Sequence, residues 1–202
     1  MPLWNLALTG YPSSGKTLLA RRLVQDRSHF VRISGDDLRK MFFNEPIPSR
    51  DEELLYSMLT IIRDGLLRRQ YNIIIDTTAP TNLTRSYLMR TKVPNVDSLL
   101  IVVVASRDSL LERTRARGHF GAVEAWDRSW EPPARDVPTY KFRNDNLEEF
   151  NTNYYVLTEL LNSRIHPFRK RFLSNIFPRI LGRLLTGMMP RLLMRSLPST
   201  RN

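Results

Sequence analysis

The chain has 202 residues, 42% of them hydrophobic, with a formal net charge of +11 and no cysteine. That is enough apolar material for one α/β core, and the lack of cysteine excludes disulfide staples and thiolate metal sites, as expected of a cytoplasmic protein. No apolar run approaches the ~18 residues of a spanning helix, and no basic segment of a secretory signal precedes the first strand.

The charge is lopsided. Residues 164–202 contain nine basic residues and no Asp or Glu, leaving 22 basic against 20 acidic residues in 1–163. This divides the chain into an expected core, 1–163, and a basic tail, 164–202.

Leu3 to Leu8 reads as a buried strand, broken at Gly10 into Gly10-Tyr11-Pro12-Ser13-Ser14-Gly15-Lys16-Thr17 and followed by helical periodicity from Leu18 to about Gln25. A phosphate needs many donors at close range. Two glycines let the backbone turn its N–H groups inward, and the helix that follows aims its positive end at the anion. Gly10, Pro12, Ser13, Ser14, Gly15, Lys16, Thr17 and Leu18 are therefore the expected nucleotide-binding set, with Lys16 on the β- and γ-phosphates and Thr17 on Mg²⁺.

A second strand is predicted over 29–34, and Gly35-Asp36-Asp37-Leu38-Arg39 turns into a helix that ends before Pro46 and Pro48. A longer helix runs from about Ser49 to Arg69, and Ser49 with Glu52 has capping-box spacing. Asn72 to Asp76 is a third strand whose Ile73-Ile74-Ile75 run indicates burial on both faces. Helix follows over 80–90, strand over 97–105, and helix over 106–117, closed by Gly118. Residues 118–137 hold Gly118, Gly121, Pro132 and Pro133 and read as a mobile loop. Thr139 to Arg143 is the last strand and Leu147 to Asn162 the last core helix. Strands alternating with helices predict a five-stranded parallel sheet with helices on both faces.

Asp36 follows the second strand, where a parallel sheet opens its ligand crevice. A carboxylate there could take the proton of an attacking hydroxyl, or it could simply N-cap its helix. Asp37 points about 100° away and is expected to satisfy the backbone or Arg39. Asp76 ends an apolar strand. Arg113 and Arg117 share a helix face, and an anion between them would relieve their repulsion. Trp126 and Trp130, also four apart, could pack the segment that carries them or stack a base.

The tail repeats apolar pairs at four-residue spacing from Phe172-Leu173 to Leu192-Leu193, interrupted by Pro178 and Pro190. A basic, acid-free amphipathic stretch over 168–197 suits an anionic membrane surface, which would place the protein at the inner face of a membrane. The same stripe could instead pack on the core or on a second subunit, or bind nucleic acid.

Taken together, the 10–17 loop, Gly35-Asp36-Asp37-Leu38-Arg39, the Asp76-Thr77 strand end and Leu110-Leu111-Glu112-Arg113-Thr114-Arg115-Ala116-Arg117-Gly118 resemble the P-loop kinases related to the phage polynucleotide 5′-hydroxyl kinase and to AAA-type small-molecule kinases. The resemblance spans about residues 3–160. It implies a P-loop NTPase fold and ATP with Mg²⁺ as cofactors. It implies Asp36 as general base, Arg39 on substrate or phosphate, Asp76 near the metal, and Arg113 and Arg117 as lid arginines on the transferring phosphoryl group. Relatives often carry Asn two residues after the strand-end Asp, where this chain has Thr78. The activity implied is γ-phosphate transfer to a hydroxyl of a small molecule or a polynucleotide 5′ end, and the near-neutral core tilts toward a small molecule. The alternative is a nucleotide-binding module whose main role is membrane or nucleic-acid association through its tail.

Overall fold

A computed structural model describes residues 3–45 and 51–163. The basic tail and Ser49 lie outside the described residues. Two compact units are distinguished, 1–154 and 155–202, and the fold below is that of the first.

Among the described residues five strands, β1 (Leu3–Thr9), β2 (Phe30–Ser34), β3 (Asn72–Asp76), β4 (Val96–Val104) and β5 (Thr139–Arg143), form one parallel sheet in the order β2-β3-β1-β4-β5. Among the described residues seven helices connect or follow them: α1 (Lys16–Asp26), α2 (Gly35–Phe43), α3 (Glu52–Arg68), α4 (Asn82–Met89), α5 (Arg107–Ala116), α6 (Ala122–Ser129) and α7 (Leu147–Asn162). The central strands are apolar on both faces, as a covered parallel sheet requires. Ala7, Ile33, Ile73, Ile75, Leu100 and Val102 share a core with Leu55, Tyr56, Leu59 and Leu67 of α3 and Leu88 of α4. The alternate residues Leu6, Leu8, Ile74, Leu99, Ile101 and Val103 are buried on the opposite face. Phe150 of α7 meets Phe142 of β5 edge-on, ring centroids 5.3 Å apart.

Two expectations need correction. Residues 118–137 are not a featureless loop, because they contain α6. Gly121, in the left-handed region at φ 74°, is its N-cap, and Val123 and Trp126 are its buried face. Glycine and proline flank the helix rather than breaking it. The N-cap of α3 is Asp51, whose carboxylate accepts from the Leu54 amide at 2.8 Å. Glu52, read from the sequence as half of a capping box, is engaged elsewhere.

Candidate active site

Strand order decides what gathers at the sheet's C-terminal edge. β1 and β3 are neighbours, as are β3 and β2, so the exits of these strands bring the 10–17 loop, Asp76 and Asp36 to one side.

The loop has the backbone its glycines allow. Gly10 (φ 137°) and Gly15 (φ 103°) lie in the left-handed region. A Cβ at Gly10 would stand 2.2 Å from the Val103 carbonyl oxygen, and one at Gly15 2.0 Å from the Asn144 side-chain amide. That amide donates to the Ser14 carbonyl at 2.7 Å, tying the loop to the end of β5. Gly15 caps α1, which begins at Lys16. The Lys16 ammonium donates to the Gly10 and Tyr11 carbonyls, both at 2.8 Å. Thr17 follows, half-buried, while Leu18 is 55% exposed.

Lys16 is the electrostatic centre. Burial brings its pKa down to about 8, while the charges of Asp76 and Asp36 oppose that fall and Arg117 adds to it. Both carboxylates and Arg117 thus contribute to the field at the ammonium. Asp36 keeps contact with solvent, yet desolvation by the protein around it holds it above the ordinary carboxylate range, against the pull of Arg39; Asp76 and Asp37 raise it further and Lys16 lowers it.

Asp36 does not cap its helix. The N-cap of α2 is Ser34, whose hydroxyl accepts from the Asp37 amide at 3.1 Å. Asp36 is therefore released from the backbone role the sequence allowed. Asp37 does not meet Arg39 either; it accepts from Arg32 at 2.9 Å. Arg39 is 1% exposed and holds two carboxylates. Its Nη1 donates to Asp36 Oδ1 at 2.7 Å, and its Nε and Nη2 grip Glu52 Oε1 and Oε2 at 2.7 and 2.8 Å. Asp76, 5% exposed, takes the Nε of Arg32 at 2.9 Å and its Nη2 at 2.8 Å, both on Oδ2.

The two arginines expected to serve a lid part company. Arg117, the C-cap of α5, is exposed and acts on Lys16. Arg113 instead donates to the Asn144 and Asp145 carbonyls at 2.9 and 2.6 Å, buttressing the turn that grips the loop.

α6 lies over the loop. The Trp126 ring is 5.7 Å from Tyr11 and 5.5 Å from Trp130, and the Lys16 ammonium stands 6.0 Å from its centroid. The Tyr11 hydroxyl donates to Asp127 Oδ1 at 2.6 Å; burial, then this acceptor, push its pKa up to about 12. The Ser13 and Ser14 hydroxyls and the Trp126 indole N–H are buried without a hydrogen-bond partner. Buried donors left unpaired are costly, and an anion held at the loop would offer them acceptors. Among the described residues no group of three His, Cys, Asp or Glu side chains could hold a metal. A Thr17 hydroxyl and one Asp76 carboxylate are nevertheless a donor set of the hard oxygen chemistry Mg²⁺ takes when phosphates and waters complete its shell.

Arg32, Asn144 and Tyr11 were given no role of their own from the sequence, and Glu52 only a capping one. Arg32, Glu52 and Asn144 act across the fold from distant elements, and only the place of Asn144 just after the last strand offered a signal.

Comparisons with known proteins agree with this architecture. A sugar kinase from Janibacter sp. HTCC2649 superposes with a TM-score of 0.60 at 16% identity, covering 78% of this chain and 95% of its own. A gluconokinase from Sinorhizobium meliloti 1021 does so at 0.53 and 21%, with 78% and 95% coverage. The Mycobacterium tuberculosis APS kinase CysC, solved with AMPPNP and APS, reaches 0.58 at 18%, with 81% and 100% coverage. Among curated proteins no sequence relative matches. The solved structures share the fold, and the family model described as an AAA domain matches residues 6–132, more than half of the chain, so the chain belongs to that family.

Proposed function

We propose that the protein is an ATP-dependent kinase that transfers the γ-phosphate to a hydroxyl, on a small molecule or on the 5′ end of a polynucleotide. The observation that carries this reading is the placement of Asp36: it is free of capping, held above its ordinary pKa, and near enough to Lys16 for its charge to be felt there.

In this reading the loop amides, the Ser13 and Ser14 hydroxyls and Lys16 bind the phosphates. Asp36 orients the acceptor hydroxyl and takes its proton; a carboxylate with a raised pKa is the stronger base. Arg117 supplies positive charge to the transferring group. Mg²⁺, when held by Thr17 and Asp76, would offset charge on the phosphate oxygens. Arg39, with three N–H groups on Asp36 and Glu52, supports the base in place of the direct substrate contact expected from the resemblance. Arg113 supports the loop. Because residues 1–163 are nearly charge-balanced, a small hydroxylated acceptor is favoured over a polyanion.

The test is a screen for γ-phosphate transfer from ATP to nucleosides, sugars, aminocyclitols and 5′-hydroxyl oligonucleotides. Asp36→Asn is expected to cut acceptor-dependent turnover by roughly 10²–10⁴-fold while ATP still binds. ATP hydrolysis that no acceptor stimulates, and that Asp36→Asn leaves unchanged, would sink the reading.

A further inference from the structure

The trio at the start of α2 and α3 goes further than a base and its neighbour. Arg39 is almost wholly buried, so its charge needs compensation inside the protein. Asp36 supplies a single contact, from Oδ1, with its side chain 61% exposed. Glu52 supplies the fork: both its oxygens accept, from Nε and Nη2, in the bidentate geometry that suits a guanidinium. The approach is built in at the backbone as well. A Cβ at Gly35 would lie 2.8 Å from the Thr77 hydroxyl, so glycine lets the start of α2 approach the end of β3 closely, while Arg39 Nη1, 3.6 Å from that point, is in ordinary contact.

We propose that Glu52 is a positioning residue for Asp36, acting through Arg39: by taking most of the guanidinium's charge and fixing its plane, it leaves Asp36 held by one oxygen and basic enough to accept a proton. The inference deepens the kinase reading and rests on it for its catalytic meaning, though the coupling itself needs no substrate to be seen. The other charges facing Asp36 are Lys16 from α1, Asp76 from β3 and its neighbour Asp37; Glu52 and the Tyr56 hydroxyl face Arg39 from α3. Without Glu52 the buried guanidinium has, among the described residues, only Asp36 to pair with. A full ion pair lowers a carboxylate's pKa and weakens it as a base.

The experiment is a ¹³C-carboxyl NMR titration of aspartate-labelled full-length protein, with Asp36→Asn identifying the Asp36 resonance. Glu52→Gln, which keeps the shape and removes the charge, is expected to move the Asp36 midpoint down by about one unit or more, as for an Asp left beside an uncompensated Arg. Glu52→Asp keeps the charge on a shorter arm and is expected to fall between. The order wild type, Glu52→Asp, Glu52→Gln from highest midpoint to lowest supports the proposal; any other order, or no movement, overturns it. Should Glu52→Gln fail to fold by circular dichroism, the Glu52→Asp midpoint alone decides, and equality with wild type overturns it. In an Arg39→Gln background the Glu52→Gln step is expected to shift the midpoint by less than half as much, and equal shifts would remove Arg39 from the path. Phosphotransfer by Asp36→Asn separates the two readings. Wild-type rates there would end the base assignment and leave the coupling standing, whereas an inactive Asp36→Asn with an unmoved Glu52→Gln midpoint would end the coupling alone.

Discussion

A lysine ammonium with a pKa near 8 has a consequence that can be measured. In the loop it donates to two carbonyls, which offer acceptors but no full charge. A bound triphosphate supplies that charge and raises the pKa back toward the ordinary lysine range. Between the two values the bound form holds a proton the free form lacks, so nucleotide affinity falls as pH rises through about 8. Calorimetry of AMPPNP binding at pH 9 in two buffers of different ionisation enthalpy should show uptake of most of one proton, lost in Lys16→Met. Equal heats in both buffers would contradict it. Gly15→Ala should abolish nucleotide binding by a different route, because its Cβ would overlap the Asn144 amide at a φ of 103°. Restored AMPPNP affinity in that variant would show that the loop can relax.

At this scale the sequence was a partial guide. The 10–17 loop was legible because phosphate binding constrains neighbouring residues in a fixed order. The partners of Arg39 were not: Glu52 reaches it from thirteen positions away, through a tertiary approach that no local spacing encodes. Arg32 was invisible for a related reason. It pairs in register with Ile74, which puts it on the same face as Asp76 two residues on, and register is settled by the whole sheet.

Among the elements, the strands and most helices could be placed because apolar runs and capping residues coincide at their ends. α6 could not, since its flanking glycines and prolines outweighed an eight-residue pattern. The structure shows what anchors its far end. Arg85, 1% exposed, donates from Nε to the Ala79 carbonyl at 3.0 Å and from Nη2 to the Pro80 and Glu131 carbonyls, with its guanidinium 4.5 Å from the Trp130 centroid. Acceptors left bare in the interior cost roughly 1–3 kcal/mol each. Arg85→Met should therefore lower thermal stability by several degrees and speed amide exchange across 122–130, read by mass spectrometry. Exchange there that stays as slow as in the wild type would show that α6 is held by the aromatic stack alone.

For the molecule as a whole, the strand order accounts for the site. Placing β3 between β1 and β2 puts Asp76 between the phosphate loop and Asp36, so one edge of one sheet carries all three. Alternation of strands and helices made the parallel class readable, but the order itself depends on which apolar faces meet. Two of the chain's three tryptophans, Trp126 and Trp130, lie at that edge, and the third, Trp4, is buried in β1. The Trp126 indole beside a lysine ammonium makes the protein its own optical sensor. Saturation with AMPPNP should change its intrinsic emission, Trp126→Phe should remove most of that change, and dissociation constants could then be read without a label.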